Sequence, residues 1–256
     1  MKVLLSPAKS LDFNSNCSCT DYTIPIFLKE SEILVKKMSK NSVKKIADMM
    51  HISKDLAELN HHRYQNWQTP NQPLPTNKPC VYAFSGEVYK GLDAASLTEA
   101  ELKIAQEKIR ILSGLYGVLK PLDLIYPYRL EMGTKWEITP NIRNLYSFWG
   151  SKISDFLQSE MKSNPLSEII NLASNEYFKA VDLKKNKLKI ITPIFKEFKN
   201  GEYKIVMMYA KHERGAMARH IITNNINSSE ELKLYNHNSY QFDVNQSTDT
   251  ELVFVR

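Results

Sequence analysis

The chain opens with a short apolar run, residues 1–6, stopped by Pro7, a pattern that predicts a buried first strand. Residues 9–23 are polar and read as loop. Apolar positions then recur at helical spacing over residues 28–38, 42–50 and 53–67, the last opened by Ser53 as N-cap. Residues 69–79 hold Pro70, Pro73, Pro75 and Pro79, a turn-rich connector too short to divide two domains. Residues 80–84 read as a strand ending at Ser85-Gly86. Thr98 opens a helix with Glu101 completing a capping box, running towards Lys108.

Residues 109–115 read as a strand or strand–turn closed by Gly114 and Gly117, residues 147–161 as one helix, and residues 168–173 as a further buried strand. Asn200-Gly201 between residues 189–198 and 203–210 predicts an antiparallel hairpin, since both turn residues tolerate positive φ. Residues 211–224 follow as helix, Ser229 caps a short one, and residues 251–256 close as strand. Strands interleaved with helices at one end and hairpin-paired at the other make a single α/β (mixed α+β) domain over residues 1–256, with a mixed, partly antiparallel sheet.

Composition narrows the class. Hydrophobic residues at 43% and charged ones at 24% are a globular balance, and 13 Tyr, 10 Phe and 3 Trp supply a bulky core. Eight Gly is few for a Gly-rich cofactor fold. The N-terminal apolar run is too short and too soon broken for a signal peptide, and no stretch reaches the ~20 apolar residues of a membrane span. A cytoplasmic protein without a membrane partner is expected. Cys17, Cys19 and Cys80 leave an odd thiol, which fits a reducing compartment. The net charge is +6, and residues 179–211 alone carry nine Lys against Asp182, Glu197 and Glu202, so the rest is neutral on balance. Such concentration suits a polyanion, or else a solvated Lys-rich face.

Five segments carry candidate chemistry. Lys9 follows the first strand, where open α/β sheets place ligands, as a phosphate contact or as a surface Lys after a turn. Gly114 and Gly117 bracket a hairpin able to offer N–H groups to a phosphate, although a helix–hairpin–helix element separates its glycines by one residue and here there are two. Arg129 and Glu131 share one face of an extended chain and either bracket a ligand or brace a loop, with Tyr126 and Tyr128 as stacking surfaces for an unpaired base. Asn171 in a buried run, followed by Ser174 and Glu176, offers an amide that must be satisfied and a carboxylate for acid–base work, or one that favours a helix start. Lys211, Arg214 and Arg219 fall within roughly 140° of helical arc around Gly215, which would let a phosphate backbone approach closely. Metal ligation is not expected: Cys17-Ser18-Cys19 lacks a second ligand pair, and His61 and His62 face apart on a helix. No Gly-rich phosphate loop and no nucleophile elbow occurs, and no cofactor is expected.

Six ordered blocks, LLSPAKSLDF, FSGEVYKGL from Phe84, ILSGLYGVLKPLDLIYPYRLEMGTKW from Ile111, FWG at Phe148, IINLASNEYFKAV from Ile169 and AKHERGAMARHII from Ala210, resemble the YaaA family of bacterial peroxide-stress proteins. The resemblance implies a family-specific α/β fold with a positively charged cleft and a helix–hairpin–helix-like element. It also implies binding of duplex or distorted DNA, and a role in surviving peroxide tied to lower free iron, with no established reaction. By that resemblance Lys9, Arg129, Lys211, Arg214 and Arg219 are cleft cations, and Gly114 and Gly117 the hairpin. The expectation is a monomer, with no protein partner, binding duplex or locally opened DNA largely without sequence specificity. The alternative is an enzyme acting on a base or nucleotide, glycosylase- or lyase-like, in the same cleft with Glu131, Asn171, Ser174 and Glu176 as catalytic candidates.

Overall fold

A computed structural model describes residues 1–15, 20–162, 168–182 and 188–256; Cys17 and Cys19 lie outside the described residues, as do Lys184, Lys185 and Lys187 of the basic segment. The main sheet runs in the order Gln241–Phe242, Glu251–Val255, Lys189–Lys199, Glu168–Asn171, Lys2–Leu5, Ile109–Ser113 and Gly117–Leu119, with Glu202–Lys204 paired to the far end of Lys189–Lys199. Its interior is parallel and its edges antiparallel. The interior strands read as near-continuous apolar runs because both faces are covered. Val3, Leu4 and Leu5 are wholly buried, as are Ile109, Ile111, Ile169 and Ile170, and they belong to one contiguous core. The mixed, partly antiparallel sheet expected from the sequence is thus present.

Local chemistry explains several of the helices. Ser42 and Ser53 accept the main-chain N–H of Lys45 and Leu56 at the starts of Val43–Met50 and Lys54–Gln65. Thr98 and Glu101 form the reciprocal capping box at Glu99–Lys108. At the Asn200-Gly201 turn both residues have positive φ, 55° and 84°, and close a two-residue hairpin.

Three elements differ from the sequence reading. Residues 80–84 do not form a strand: Cys80–Ala83 winds one helical turn between two-residue strands, while the N–H groups of Cys80 and Val81 pair with Asp123 and Pro121 carbonyls. Burial pushes the Cys80 thiol well up, so it stays protonated. The helix expected over residues 147–161 is two, Leu145–Trp149 and Lys152–Met161, broken at Gly150 with φ 49°. The second hairpin strand stops at Lys204, and the last long helix begins at Met207, four residues before the expected start.

One charged pair is set into this core. Arg110, only 2% exposed, makes a bidentate contact with Glu160 of Lys152–Met161, its Nε and Nη2 at 2.6 and 2.5 Å from the carboxylate oxygens. Burial alone would raise the Glu160 carboxyl. The Arg110 hydrogen bonds and the charges of Arg110, Lys2 and Lys120 overcome it and hold the group below the usual range. A depressed carboxylate contributes stability above its unfolded value, near 4.3, and loses it as pH falls through the folded value. Glu160→Gln leaves a buried guanidinium uncompensated and should cost about 3–5 kcal/mol at neutral pH. Urea melts should show that deficit narrowing below about pH 4, because the parent carboxylate is then itself protonated.

Candidate functional site

Parallel pairing on both sides of Lys2–Leu5 brings the exits of the first strand and of Glu168–Asn171 to one edge of the sheet. There Ser6 ties the two exits together: the Ser174 N–H donates to Ser6 Oγ at 2.9 Å, and Ser6 Oγ donates to Ser174 Oγ at 3.3 Å. From the other side the Tyr89 hydroxyl donates to the Ser6 carbonyl at 2.9 Å. The loop that carries Lys9 is therefore held at its start through the Ser6 hydroxyl and carbonyl.

Lys9 reaches Glu131, with Nζ 2.6 Å from Oε2, while Arg129 Nη2 lies 2.9 Å from Oε1. One carboxylate thus serves two cations in a shallow depression bordered by Pro7, Tyr128 and Tyr177. Arg129 is held by its backbone, whose carbonyl accepts the Tyr64 hydroxyl at 2.6 Å. Its Nε is buried and has no hydrogen-bond partner among the described residues. Arg63, beside Tyr64, adds a further cation. Burial pushes its guanidinium down, and the Arg129 charge pushes the same way. Glu176 closes the opposite side: Oε1 accepts the Gly133 N–H at 2.8 Å, and its carbonyl accepts the Tyr146 hydroxyl at 2.8 Å. A side chain at Gly133 would come within 3.1 Å of that carboxylate oxygen and press on it. Burial first, then the charges of Glu176 and Glu131, push the Tyr177 hydroxyl far up, so it faces this site neutral.

Lys9, Arg129, Glu131, Ser174 and Glu176 are thus gathered from three chain segments. Other sequence candidates do different work. Asn171 is 4% exposed; its Oδ1 accepts the Ala173 N–H at 3.1 Å and its amide donates to Thr192 Oγ1 at 3.4 Å, so it braces the strand exit. Tyr128 is buried, its hydroxyl 2.6 Å from Ser113 Oγ and its ring against Phe84 and Tyr116, and Tyr126 is buried too. Neither offers a stacking face.

At Gly114 and Gly117 no helix–hairpin–helix element is present. Ile109–Ser113 and Gly117–Leu119 form a buried β-hairpin of the main sheet. The Gly114 position lies 2.3 Å from the Leu130 carbonyl when a Cβ is placed on it, and Trp149 covers Gly117, whose φ is 68°. Apolar flanks that resembled a phosphate-binding hairpin are simply the sheet interior. Gly114 contributes indirectly, letting the 129–131 segment approach the sheet.

On Met207–Thr223 the arc of cations separates. The space over Gly215 is filled, since a Cβ there would sit 1.8 Å from the Val88 carbonyl, and Gly91 meets the same helix at 2.1 Å from the His212 carbonyl. No phosphate can approach at Gly215. Arg219 donates to the carbonyls of Leu92 and Asp93 at 3.0 and 2.8 Å, capping Glu87–Leu92. Lys211 is exposed. Arg214 is half-buried, its guanidinium pushed down by burial, with no ion-pair or hydrogen-bond partner among the described residues. Arg63, Tyr64 and Tyr89 escaped the sequence reading. Ser6 stood in the candidate segment Ser6-Pro7-Ala8-Lys9, where the ligand contact was expected of Lys9.

Residues 1–246 match the family described as peroxide stress protein YaaA. The chain is 47% identical over 256 residues to a UPF0246 protein of Flavobacterium psychrophilum, with all of both chains covered. It is 47% identical over 256 residues to one of Aliivibrio fischeri, covering 100% of this chain and 98% of that one. To one of Neisseria gonorrhoeae it is 44% identical over 258 residues, again with 100% and 98% covered.

Because the Lys9 side chain is 63% exposed, its pair with Glu131 is a screened contact rather than a structural one. A double-mutant cycle on Lys9→Ala and Glu131→Gln, read by urea melts, should give a coupling below about 1 kcal/mol. A much larger coupling would make the pair a fold-holding element.

Proposed function

The chain belongs to the family of peroxide stress protein YaaA, and from that stress-response role we propose that it acts by binding DNA, duplex or locally opened, through its sugar–phosphate chain. The observation that carries the reading is a pair of arginines with donors to spare. Arg129 Nε–H is buried without an acceptor, and Arg214 is partly desolvated without a counter-charge among the described residues. An unmet buried donor costs about 1–3 kcal/mol, more when charged, so a guanidinium desolvated in this way gains from an acceptor that reaches its outer nitrogens. Phosphate oxygens are such acceptors, and a guanidinium meets them in a fork.

The two arginines belong to connected elements. Arg129 lies beside the loop braced by Tyr89, and Arg214 is on the helix that packs against Tyr89's own helix, Glu87–Leu92. Lys9 and Arg129 share one carboxylate, which leaves a net positive charge, and Lys211 adds an exposed cation. Chemistry on a nucleotide draws less support. Glu131 has both oxygens engaged by Lys9 and Arg129, and Glu176 ties down Gly133.

A binding mode resting on phosphates loses affinity steeply with salt. With four contacts, affinity for a short duplex should fall roughly 100-fold between about 50 and about 200 mM salt. Fluorescence anisotropy should give a log–log salt slope about one unit shallower for Arg214→Ala. Affinity that is unchanged across this range would contradict the proposal.

A further inference from the structure

The depression that holds Lys9 and Arg129 is filled by one of its own acids. Glu131 Oε2 lies 2.6 Å from Lys9 Nζ and Oε1 lies 2.9 Å from Arg129 Nη2, so a single carboxylate spans both cations. A phosphate meets an ammonium and a guanidinium with the same forked oxygens, so Glu131 stands where such a group would sit. The main chain around it is pinned. The Tyr64 hydroxyl donates to the Arg129 carbonyl at 2.6 Å, the Thr134 N–H donates to the Glu131 carbonyl at 3.0 Å, and the Leu130 carbonyl lies against Gly114. What can yield is the Glu131 side chain, which is 22% exposed and borders solvent. Its tie to the exposed Lys9 is a screened one and is exchanged at small cost.

Charge decides which anion can make it yield. A carboxylate or a phosphodiester carries one negative charge and would replace Glu131 like for like. A terminal phosphate monoester carries about −1.5 to −2 at neutral pH, spread over three oxygens. With Glu131 swung out, Lys9, Arg129 and the neighbouring Arg63 face one acid, Glu176, across the depression, which leaves two positive charges for the ligand. We propose that Glu131 is a displaceable stand-in for phosphate, and that it makes this depression a receptor for the phosphorylated end of a nucleic-acid strand rather than for a phosphate inside the chain. The inference rests on the nucleic-acid reading above and names the part of the strand that this site takes. Internal phosphates are left to Lys211 and Arg214.

The test titrates the full chain calorimetrically with one short oligonucleotide in three forms: 5′-phosphate, 3′-phosphate, and hydroxyl at both ends. The parent should bind at least one phosphate-ended form roughly tenfold tighter than the hydroxyl form. Glu131→Gln should bind the hydroxyl form roughly fivefold tighter than the parent does, because an internal diester now meets free cations, and its preference for a phosphate end should shrink to about twofold. Glu137→Gln removes the same charge from an exposed position six residues along and should leave the parent's preference intact. A measurement on the parent alone guards against a misfolded variant. Inorganic phosphate should displace the bound strand at lower concentration than dimethyl phosphate at equal ionic strength. A parent indifferent to the end group, equal displacement by the two phosphates, a Glu131→Gln variant that keeps the full preference, or a Glu137→Gln variant that loses it, each overturns the end receptor while leaving binding through the sugar–phosphate chain standing. A parent that binds none of the three forms overturns both readings.

Discussion

Lys2–Leu5 is hydrogen-bonded in parallel on both sides, to Ile109–Ser113 and to Glu168–Asn171. Because parallel strands leave a sheet at the same edge, that double pairing decides where the chain's polar segments can meet. Loop 6–9 and the Ser174–Glu176 turn leave side by side, and Ser6 locks them with two hydrogen bonds. The hairpin after Ile109–Ser113 places Gly114 so that the Leu130 carbonyl can come close, which presents Arg129 and Glu131 to the same edge. Moving any one of these strands by a residue would turn its side chains to the other face and disperse the group.

Much of this was legible in the chain, for definite reasons. Period-two and period-3.6 patterns and caps such as Thr98 with Glu101 are local, so they located the strands and helices. The candidates at strand exits, Lys9, Ser174 and Glu176, came from topology alone. What the sequence could not convey was the difference between a glycine that admits a ligand and one that admits another part of the protein. Gly114, Gly117 and Gly215 each proved to be filled, by Leu130, Trp149 and Val88. The same holds for aromatics. Tyr128 in a polar-flanked motif is buried, while Phe198 and Tyr203, in a segment readable only as a hairpin, are exposed. Arg63 carried no pattern at all and joins the site through the neighbouring Tyr64.

Charge reads differently in three dimensions as well. The five cations named for a cleft do not act alike. Lys9 and Arg129 share Glu131, Arg219 caps a helix, and only Lys211 and Arg214 are without such ties among the described residues. Such a surface would offer the anionic partner proposed above a few well-placed donors rather than a broad positive field.

The central claim is that Arg129 and Arg214 keep donors for an anionic chain. The Nε–H resonances of the two arginines, followed by nitrogen–proton NMR as an oligonucleotide is added, address it most directly. Both signals should shift together and saturate at the binding stoichiometry. If an oligonucleotide binds while both signals stay at their free positions, the anion is held elsewhere and the account is wrong.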